Sequence, residues 1–373
     1  MNTAGMLDLD DFRRACQGVL DAARWSYLAG GAGHDDAVRE NEAALRRLRL
    51  RPRPLNGVAD PDLTVDVLGF PAAMPVLLAP TSPLRLFHPD AELAVSRAAR
   101  RAGVLPIVSN DSHHSLTEIA KQGPCWFQLY CYGSRADVVR TIRLAESVDA
   151  RALVVTIDNS HPSRRVAMLR SGFATPPEVE FGIHRESGFS DGAVPPDTRL
   201  PRWPLTWELL DLIRSQTRLP VVVKGVLHPA DAALLTDRGV AGLIVSNHGG
   251  RQLNDSIAAI DALPGVVAAA AGRLPVLLDG GIRTGGDVVK ALAAGAAAVC
   301  LGRPYVWGLT LDGEDGVLAV LELLRAELLD VARQTGLRAL RAVPADLVAP
   351  PPPSFTGRGG GPHDPAHQGA LRA

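Results

Sequence analysis

Residues 220–253 read PVVVKGVLHPADAALLTDRGVAGLIVSNHGGRQL, and they contain a complete strand–helix–strand unit. Two apolar runs, Pro220–Lys224 and Gly242–Val245, flank a helix-like segment from Pro229 to Arg238 that stops at Gly239. Apolar runs without polar alternation are typical of strands buried on both faces of a parallel sheet. Proline is favoured at the start of a helix and glycine just after its end. The stretch therefore predicts two neighbouring parallel strands joined by a crossover helix.

The same unit recurs along the chain from residue 75 onward. The eight apolar runs are Pro75–Ala79, Val104–Val108, Cys125–Leu129, Ala152–Thr156, Pro220–Lys224, Gly242–Val245, Pro275–Asp279 and Ala297–Leu301. The helix-like segments are Asp90–Ala102, Ser115–Gln122, Ala136–Ser147, Thr206–Ser215, Pro229–Arg238, Ile257–Ala271 and Gly286–Ala294, with Asp90, Ser115 and Thr206 as predicted N-caps. Eight consecutive units predict an α/β fold of the TIM (β/α)8 barrel type, with a doubly wound sheet as the alternative.

Three segments lie outside the alternation. Residues 1–74 are predicted to be an N-terminal helical extension packed on the barrel, opening with an amphipathic helix from Asp8 to Ala23. Residues 75–345 form the predicted barrel, with a long polar insert at 159–205 after strand 4 that is interpreted as a lid. Residues 346–373 are rich in proline and glycine and are predicted to be a disordered tail.

The composition excludes several classes of protein. Lys plus Arg number 39 and Asp plus Glu 40, so no basic excess favours nucleic acid as a partner. No run of about 18 uncharged apolar residues predicts a membrane span, and no apolar region near Met1 predicts a secretory signal. The cysteines (Cys16, Cys125, Cys131 and Cys300) lack metal-ligand spacing, which predicts no metal site and favours a reducing cytoplasm.

Polar residues follow nearly every predicted strand, at the end where TIM-barrel enzymes place their active sites. The stretches at the strand ends that contain these polar residues are Pro80, Thr81 and Ser82; Ser109, Asn110 and Asp111; Gln128 and Tyr130; Thr156 and Asp158; Lys224; Ser246 to His248; Asp279 to Arg283; and Gly302 and Arg303. Each residue type alone is commonly structural or solvated. Their recurrence at the strand ends predicts a site there.

His248 and Arg251 indicate the chemistry of this site. A histidine can accept a proton near neutral pH, and an arginine can bind a carboxylate through two parallel hydrogen bonds. Gly249 and Gly250 between them allow a sharp turn and a close approach. The run predicts proton abstraction from a small organic acid.

Two glycine-rich turns predict a phosphate site. They are Asp279–Gly286 and Gly302-Arg303-Pro304, after strands 7 and 8, where this fold usually binds phosphate. The chain lacks the dinucleotide and ATP fingerprints, which favours another phosphorylated cofactor. Lys224 ends a run of valines. It is interpreted either as a Schiff-base lysine or as a fixed cation beside a cofactor that gains negative charge, and the phosphate site and Gln128 favour the cation.

The chain resembles the FMN-dependent 2-hydroxy acid oxidases and dehydrogenases, among them glycolate oxidase, lactate oxidase and monooxygenase, mandelate dehydrogenase and hydroxymandelate oxidase. The stretches that carry the resemblance are Tyr27–Ala32, Arg39-Glu40-Asn41, Ala79-Pro80-Thr81, His88-Pro89, Trp126–Tyr130, Val223-Lys224-Gly225, Ser246–Leu253, Leu278–Gly281 and Gly302-Arg303-Pro304. The resemblance implies an FMN enzyme that oxidises a 2-hydroxy acid to the 2-oxo acid. Electrons pass to flavin N5 and then to oxygen or another acceptor. It also implies a homotetramer.

The resemblance further implies a role for each matching residue. His248 is the base, Asp158 pairs with its imidazolium, Tyr130 binds the substrate hydroxyl, and Lys224 lies near flavin N1 and O2. Arg251 and Arg165, helped by Tyr27, bind the substrate carboxylate. The remaining implied FMN contacts are Pro80, Thr81, Ser109, Gln128, Thr156 and Ser246 for the flavin and ribityl chain, and Asp279, Gly281, Arg283, Gly302 and Arg303 for the ribityl and phosphate end.

The chain departs from the family pattern at the pocket. Asp111 stands where family members usually carry an apolar, small or aromatic residue, and Asn254 stands where Asp is common. The family's Gly-Arg-Arg-Glu run around Arg165 lacks its Gly and Glu here. Asp111 is therefore interpreted as a substrate-binding residue that favours a polar or cationic side chain. The substrate is expected to be larger than glycolate or lactate, as in specialised metabolism.

Two other functions remain as alternatives. One is a flavin barrel enzyme with a drifted reaction, such as oxidation of an amine or a carrier-bound acyl group, or an isomerisation. The other is a flavin-binding scaffold, which the intact set His248, Arg251, Tyr130, Lys224 and Asp158 argues against. The insert carries Glu178, Glu180, Glu186 and Asp191, unlike the apolar, basic segment of membrane-bound mandelate dehydrogenases, so no membrane partner is predicted.

Overall fold

The structure, a computed structural model, describes residues 3, 5–159, 161–195, 203 and 205–349. Its N-terminal part contains the helices α1 (Leu9–Val19), α2 (Ala22–Ala29) and α3 (Asp36–Arg47) and the short strands β1 (Arg49–Leu50), β2 (Val65–Val67) and β3 (Phe70–Ala72). The single helix predicted from Asp8 to Ala23 is wrong. Leu20 has extended backbone and ends α1, and Asp21 accepts the Arg24 N–H and caps α2.

Eight parallel strands close into a barrel, as the apolar runs predict. They are β4 (Val76–Leu78), β5 (Leu105–Ser109), β6 (Trp126–Leu129), β7 (Leu153–Thr156), β8 (Val221–Val226), β9 (Gly242–Ser246), β10 (Val276–Asp279) and β11 (Ala298–Leu301). Strands consecutive in sequence are neighbours, and β11 closes on β4 with Val299 opposite Val76. A doubly wound sheet would leave two open edges, so the TIM barrel is confirmed.

Helices follow the strands around the outside of the barrel. They are α4 (Ala91–Ala102), α5 (Leu116–Ala120), α6 (Arg135–Ser147), α7 (Val166–Arg170), α8 (Gly182–Glu186), α9 (Trp207–Ser215), α10 (Pro229–Asp237), α11 (Ala259–Ala270), α12 (Gly285–Ala293) and α13 (Arg303–Thr335). None of those in the described part of the chain is long and apolar enough to cross a bilayer. Ser115 and Thr206 cap their helices as predicted. Asp90 also occupies the N-cap position of its helix as predicted, but its side chain makes no capping bond and pairs with Arg97 instead.

The barrel interior is filled by side chains rather than open. Inward-facing residues such as Ile107, Trp126 and Leu277 form one buried cluster together with Val65 and Val67 of the β2–β3 hairpin. Some residues of this cluster, such as Trp126, are the first residues of barrel strands. The hairpin therefore covers the N-terminal end of the barrel. The C-terminal end is left for the site, as is usual for this fold.

The insert docks on the barrel through α8 and on the N-terminal extension through the segment after α7. Glu186 of α8 accepts the N–H of Leu116 at the start of α5, at 2.6 Å, and Phe173, after α7, stacks on Tyr27 at 4.7 Å. Residues 160, 196–202 and 204 of the predicted lid lie outside the described residues. Of the predicted tail, Val348–Ala349 form a strand, β12, paired with β1, and 350–373 lie outside the described residues.

Candidate active site

A cavity opens at the C-terminal ends of the barrel strands, between the N-terminal extension and the insert. The predicted site residues that line it are Tyr27, Pro80, Thr81, Asp111, Tyr130, Arg165, Lys224, His248, Arg251, Asp279, Gly302 and Arg303. The other predicted residues do not line it. Asp158 lies behind His248, and Ser109, Gln128, Thr156 and Ser246 are buried at the strand ends. Arg283 pairs with Glu42 and lies over the ring of Trp307, and Gly281 packs against Asn41.

His248 and Asp158 form a partly buried hydrogen-bonded pair. The imidazole Nδ1 lies 2.9 Å from Asp158 Oδ1, and the His248 backbone N–H donates to Ser246 Oγ. Burial lowers the pKa of His248, although Asp158 opposes this. Burial opposes the ionisation of Asp158, yet its interaction with His248 and the Lys224 charge hold the pKa of that carboxyl below its usual value. We therefore assign a neutral imidazole that donates its Nδ1–H to the carboxylate, which leaves Nε2 as a proton acceptor.

The turn that carries His248 is held by the N-terminal extension. Asn247 and Asn41 exchange two amide hydrogen bonds of 2.8 and 2.9 Å. At Gly250, φ is +78°, and a Cβ would lie 2.5 Å from the backbone N of Val38. Sequence reasoning assigned no role to Asn41, because nothing in a local pattern signals a partner 206 residues away.

Lys224 is the buried cation of the site. Its Nζ lies 2.8 Å from Asp279 Oδ2 and 2.9 Å from Ser246 Oγ, and Ser246 Oγ donates to the same Asp279 oxygen. Burial lowers the pKa of Lys224, but Asp279 and Asp158 outweigh it and raise the pKa above its usual value. Because a protonated ammonium is a poor nucleophile, this arrangement favours a fixed charge over a Schiff-base lysine.

Two arginines join the N-terminal extension to the barrel mouth. Arg251 donates to the carbonyl of Tyr27 at 2.6 Å and lies 5.0 Å from the centre of its ring. Arg303 donates to the carbonyls of Leu28, Gly249 and Gly30. Burial lowers the pKa of both guanidinium groups. That of Arg303 falls to about 10, so Arg303 remains a cation at neutral pH.

The opposite wall contains polar residues that sequence reasoning missed. Tyr130 accepts a hydrogen bond from Asn159 at 3.1 Å. Asp111, whose side chain is 6% exposed, accepts from Tyr132 Oη and lies 3.0 Å from His184 Nε2. Asn159, Tyr132 and His184 lie in the insert or just after a strand. Only the unusual polarity of the loop around Asp111 hinted at such a cluster.

The residues at the strand ends fit a polar, phosphorylated cofactor. Gln128 Nε2, Thr156 Oγ1 and Arg283 Nε are buried and have no hydrogen-bond partner among the described residues, whereas buried polar groups are nearly always paired. Gly302 precedes the start of α13, where helix N–H groups and the Arg303 charge favour an anion. No cluster of three or more metal-ligating side chains occurs in the described part of the chain.

Residues 16–350 match the family model described as FMN-dependent dehydrogenase. This chain belongs to that family. It is 42% identical over 345 residues to 4-hydroxymandelate oxidase of Amycolatopsis orientalis (90% of this chain, 96% of the relative). It is 38% identical over 355 residues to glycolate oxidase of Spinacia oleracea (92% and 95%). A crystal structure of mandelate oxidase superposes with a TM-score of 0.86 at 41% identity (92% and 98%).

Family membership confirms the predicted enzyme class and cofactor. The chain is an FMN-dependent oxidoreductase of the 2-hydroxy acid oxidase type. FMN supplies a two-electron acceptor when bound. The unpaired Gln128 and Thr156 atoms and the Lys224 charge would hold its polar ring, and the loops at Gly281 and Gly302 its phosphate end.

Proposed function

We propose that this chain oxidises a bulky 2-hydroxy acid of the mandelate type to the 2-oxo acid. The observation that carries the proposal is the neutral His248, paired through Nδ1 with Asp158, in the same cavity as Arg251. The aromatic rings of Phe87, Tyr130 and Phe181 in the cavity lining support a substrate larger than glycolate or lactate. The similarity to 4-hydroxymandelate oxidase supports it too.

Each of the site residues has a defined task in this reaction. Arg251, with Arg165 and Tyr27, binds the substrate carboxylate, and Tyr130 binds the hydroxyl. The 2-hydroxy acid loses two electrons and two protons as its C–O single bond becomes C=O. His248 Nε2 accepts one of the protons, and the two electrons and the other proton would pass to the bound FMN. Asp158 stabilises the imidazolium that forms. A positioned base typically contributes about 10²–10⁴-fold to the rate.

Anaerobic mixing of the purified FMN-loaded protein with a panel of 2-hydroxy acids tests the proposal. Mandelate and its ring-substituted relatives are expected to bleach the visible flavin absorbance faster than glycolate or lactate. Readmitting air then shows whether oxygen accepts the electrons. His248→Gln is expected to abolish bleaching, whereas His228→Asn, at an exposed helix cap outside the cavity, is the matched control. FMN binding without bleaching by any 2-hydroxy acid would overturn the proposal and favour a drifted reaction.

The assembly and compartment follow as part of the same proposal. Exposed apolar side chains such as Leu253 and Ile257, 61% and 51% exposed, support association of copies into the proposed homotetramer. Cys16, Cys125, Cys131 and Cys300 are free thiols, which supports a cytoplasmic location. Light scattering coupled to gel filtration measures the mass of the assembly, and the mass of a monomer would contradict the proposed homotetramer.

A further inference from the structure

Asp111 and Arg251 lie across the barrel mouth from each other. Asp111 follows β5 and Arg251 follows β9, and in the closed order of the barrel these strands are separated by β4, β11 and β10 on one side and by β6, β7 and β8 on the other. Both residues line the same cavity. A substrate whose carboxylate is bound at Arg251 therefore extends its side chain toward Asp111.

The carboxylate of Asp111 is held in place by groups that do not line this cavity. Tyr132 Oη lies 2.9 Å from both Asp111 oxygens, and His184 Nε2 lies 3.0 Å from Oδ1. Asn110 Nδ2 lies 3.0 Å from the same His184 nitrogen. Because the cavity lining contains Asp111 but neither Tyr132 nor His184, these two groups contact the carboxylate from behind the wall.

The supporting cluster is rigid because it is packed on all sides. His184 is 1% exposed, and its ring lies 4.8 to 5.2 Å from the rings of Phe181, Tyr132 and Phe189. Helix α8, which carries His184, is joined to the Asp111 loop by the Gly182 N–H, which donates to Ser112 O at 2.9 Å. A fixed carboxylate in a water-poor wall discriminates strongly, because a polar group that loses its partner on substrate binding is costly.

We propose that Asp111 recognises a hydrogen-bond donor, a hydroxyl or an ammonium group, at the end of the substrate side chain far from the carboxylate, and that Tyr132 and His184 position it. This inference rests on the proposed oxidation of a mandelate-type acid. A ring substituent in the para position points directly away from the carbon that bears the carboxylate. A para hydroxyl or aminomethyl group is therefore the donor that the opposed placement of Arg251 and Asp111 selects.

The test compares substrates of nearly equal shape that differ only in the donor. Anaerobic stopped-flow gives, for each substrate, the rate constant of flavin bleaching divided by the dissociation constant of that substrate. The substrates are 4-hydroxymandelate, 4-aminomethylmandelate and 4-methylmandelate. Either donor-bearing acid is expected to exceed the methyl compound by at least about 10-fold, as for a hydrogen bond to a charged group. A preference for the hydroxyl or the ammonium identifies which donor the site takes.

Variants then ask whether Asp111 is the cause of the preference. Asp111→Asn is expected to reduce the ratio of donor to methyl substrate to below about 3-fold, and Tyr132→Phe to an intermediate value, since a misplaced carboxylate still accepts a hydrogen bond. Glu178→Gln makes the same carboxyl-to-amide change at a half-exposed residue of the insert and is expected to keep the wild-type ratio. FMN content and melting temperature confirm that each variant is folded.

Binding of the 2-oxo products gives a readout that needs no turnover. The dissociation constants of 4-hydroxybenzoylformate and 4-methylbenzoylformate, from the perturbed flavin spectrum, are expected to differ in the same direction and to converge in Asp111→Asn. Equal wild-type constants and rates for donor and methyl compounds, or a ratio unchanged in Asp111→Asn, would overturn this inference while mandelate oxidation stands. Failure of mandelate and all its derivatives to bleach the flavin would overturn the proposed function itself.

Discussion

His248 has two ring nitrogens with different tasks, and the neighbours of Nδ1 determine what Nε2 can do. The Nδ1–H is directed to Asp158 at 2.9 Å, and burial keeps the ring neutral by lowering its pKa below the usual 6.5. Substrate oxidation is therefore expected to be independent of pH near neutrality. It falls only as the pH drops through this lowered pKa and Nε2 becomes protonated.

Asp158→Asn tests this coupling. The carboxylate raises the pKa of His248, so its removal is expected to move the acidic limb of kcat/KM to lower pH. The imidazolium formed in turnover also loses about 1.5–3 kcal/mol of stabilisation, roughly a 10–100-fold slower flavin reduction. Stopped-flow pH profiles of the wild type, Asp158→Asn and the exposed control Asp191→Asn measure both effects. A limb that moves to higher pH would contradict the assignment.

Lys224, in contrast to the neutral His248, carries a positive charge that the fold requires. Lys224→Met leaves Asp279 and Asp158 without their buried cation, and removal of one partner of a buried pair typically costs about 3–5 kcal/mol. We expect the free energy of unfolding to fall by that order, measured by urea denaturation of the FMN-free protein. Lys290→Met, which removes a partly buried lysine near Asp287, is the control for loss of a lysine alone. An unfolding free energy equal to that of the wild type would show that Lys224 is not an essential counter-charge.

At the level of elements, the loop after β9 depends on a contact with helix α3. Gly250 has φ +78° and stands against the backbone of Val38, where a Cβ would approach to 2.5 Å. A substituent here must displace either α3 or the turn that holds His248. The geometry of the base is therefore coupled to the packing of the N-terminal extension.

Gly250→Ala is expected to reduce kcat/KM strongly and to destabilise the protein by about 1–3 kcal/mol through overpacking. Gly172→Ala is the matched control, because Gly172 also has positive φ (+65°) but a Cβ there would meet no atom within 4 Å. The control shares the backbone cost of about 1 kcal/mol without the clash. Similar losses of activity in both variants would indicate that backbone conformation alone matters.

The barrel strands were predictable from the sequence, whereas the helix caps were predictable only in part. A strand buried on both faces leaves a continuous apolar run, and all eight runs correspond to barrel strands. Asp90 occupies the N-cap position of α4, but its carboxylate makes no capping bond because it pairs with Arg97 on the same helix. The Asn41–Asn247 pair and the His184–Asp111 contact were not predictable, since they join residues 206 and 73 positions apart and a local pattern contains no trace of the partner.

For the whole molecule, cofactor binding and folding are thermodynamically linked. Gln128, Thr156 and Arg283 contain buried polar atoms without partners in the described residues, and such atoms each cost about 1–3 kcal/mol unless something binds them. FMN that binds only the folded protein stabilises it by about 4 kcal/mol at a thousand-fold excess over its dissociation constant. The FMN-free protein is therefore expected to be markedly less stable.

Removal of FMN by acidic ammonium sulfate and its readdition test this expectation by calorimetry. The melting temperature is expected to fall without FMN and to rise again with increasing FMN concentration. Riboflavin, which lacks the phosphate, is the control and is expected to restore only part of the shift, because the Gly302 and Arg303 end has no anion to bind. Equal shifts with riboflavin and FMN would argue against a phosphate site there.

Arg303 donates to the carbonyls of Leu28 and Gly30, which lie more than 270 residues earlier in the chain. During translation, Tyr27 is therefore synthesised long before Arg303, whose hydrogen bonds fix the backbone next to Tyr27. At roughly 5–20 residues per second, the interval is tens of seconds, during which the mouth of the barrel has no final shape. Capture of the flavin is thus expected to be a late event of biosynthesis, after the last barrel strand has been translated, and a chain truncated before Arg303 is expected to be colourless.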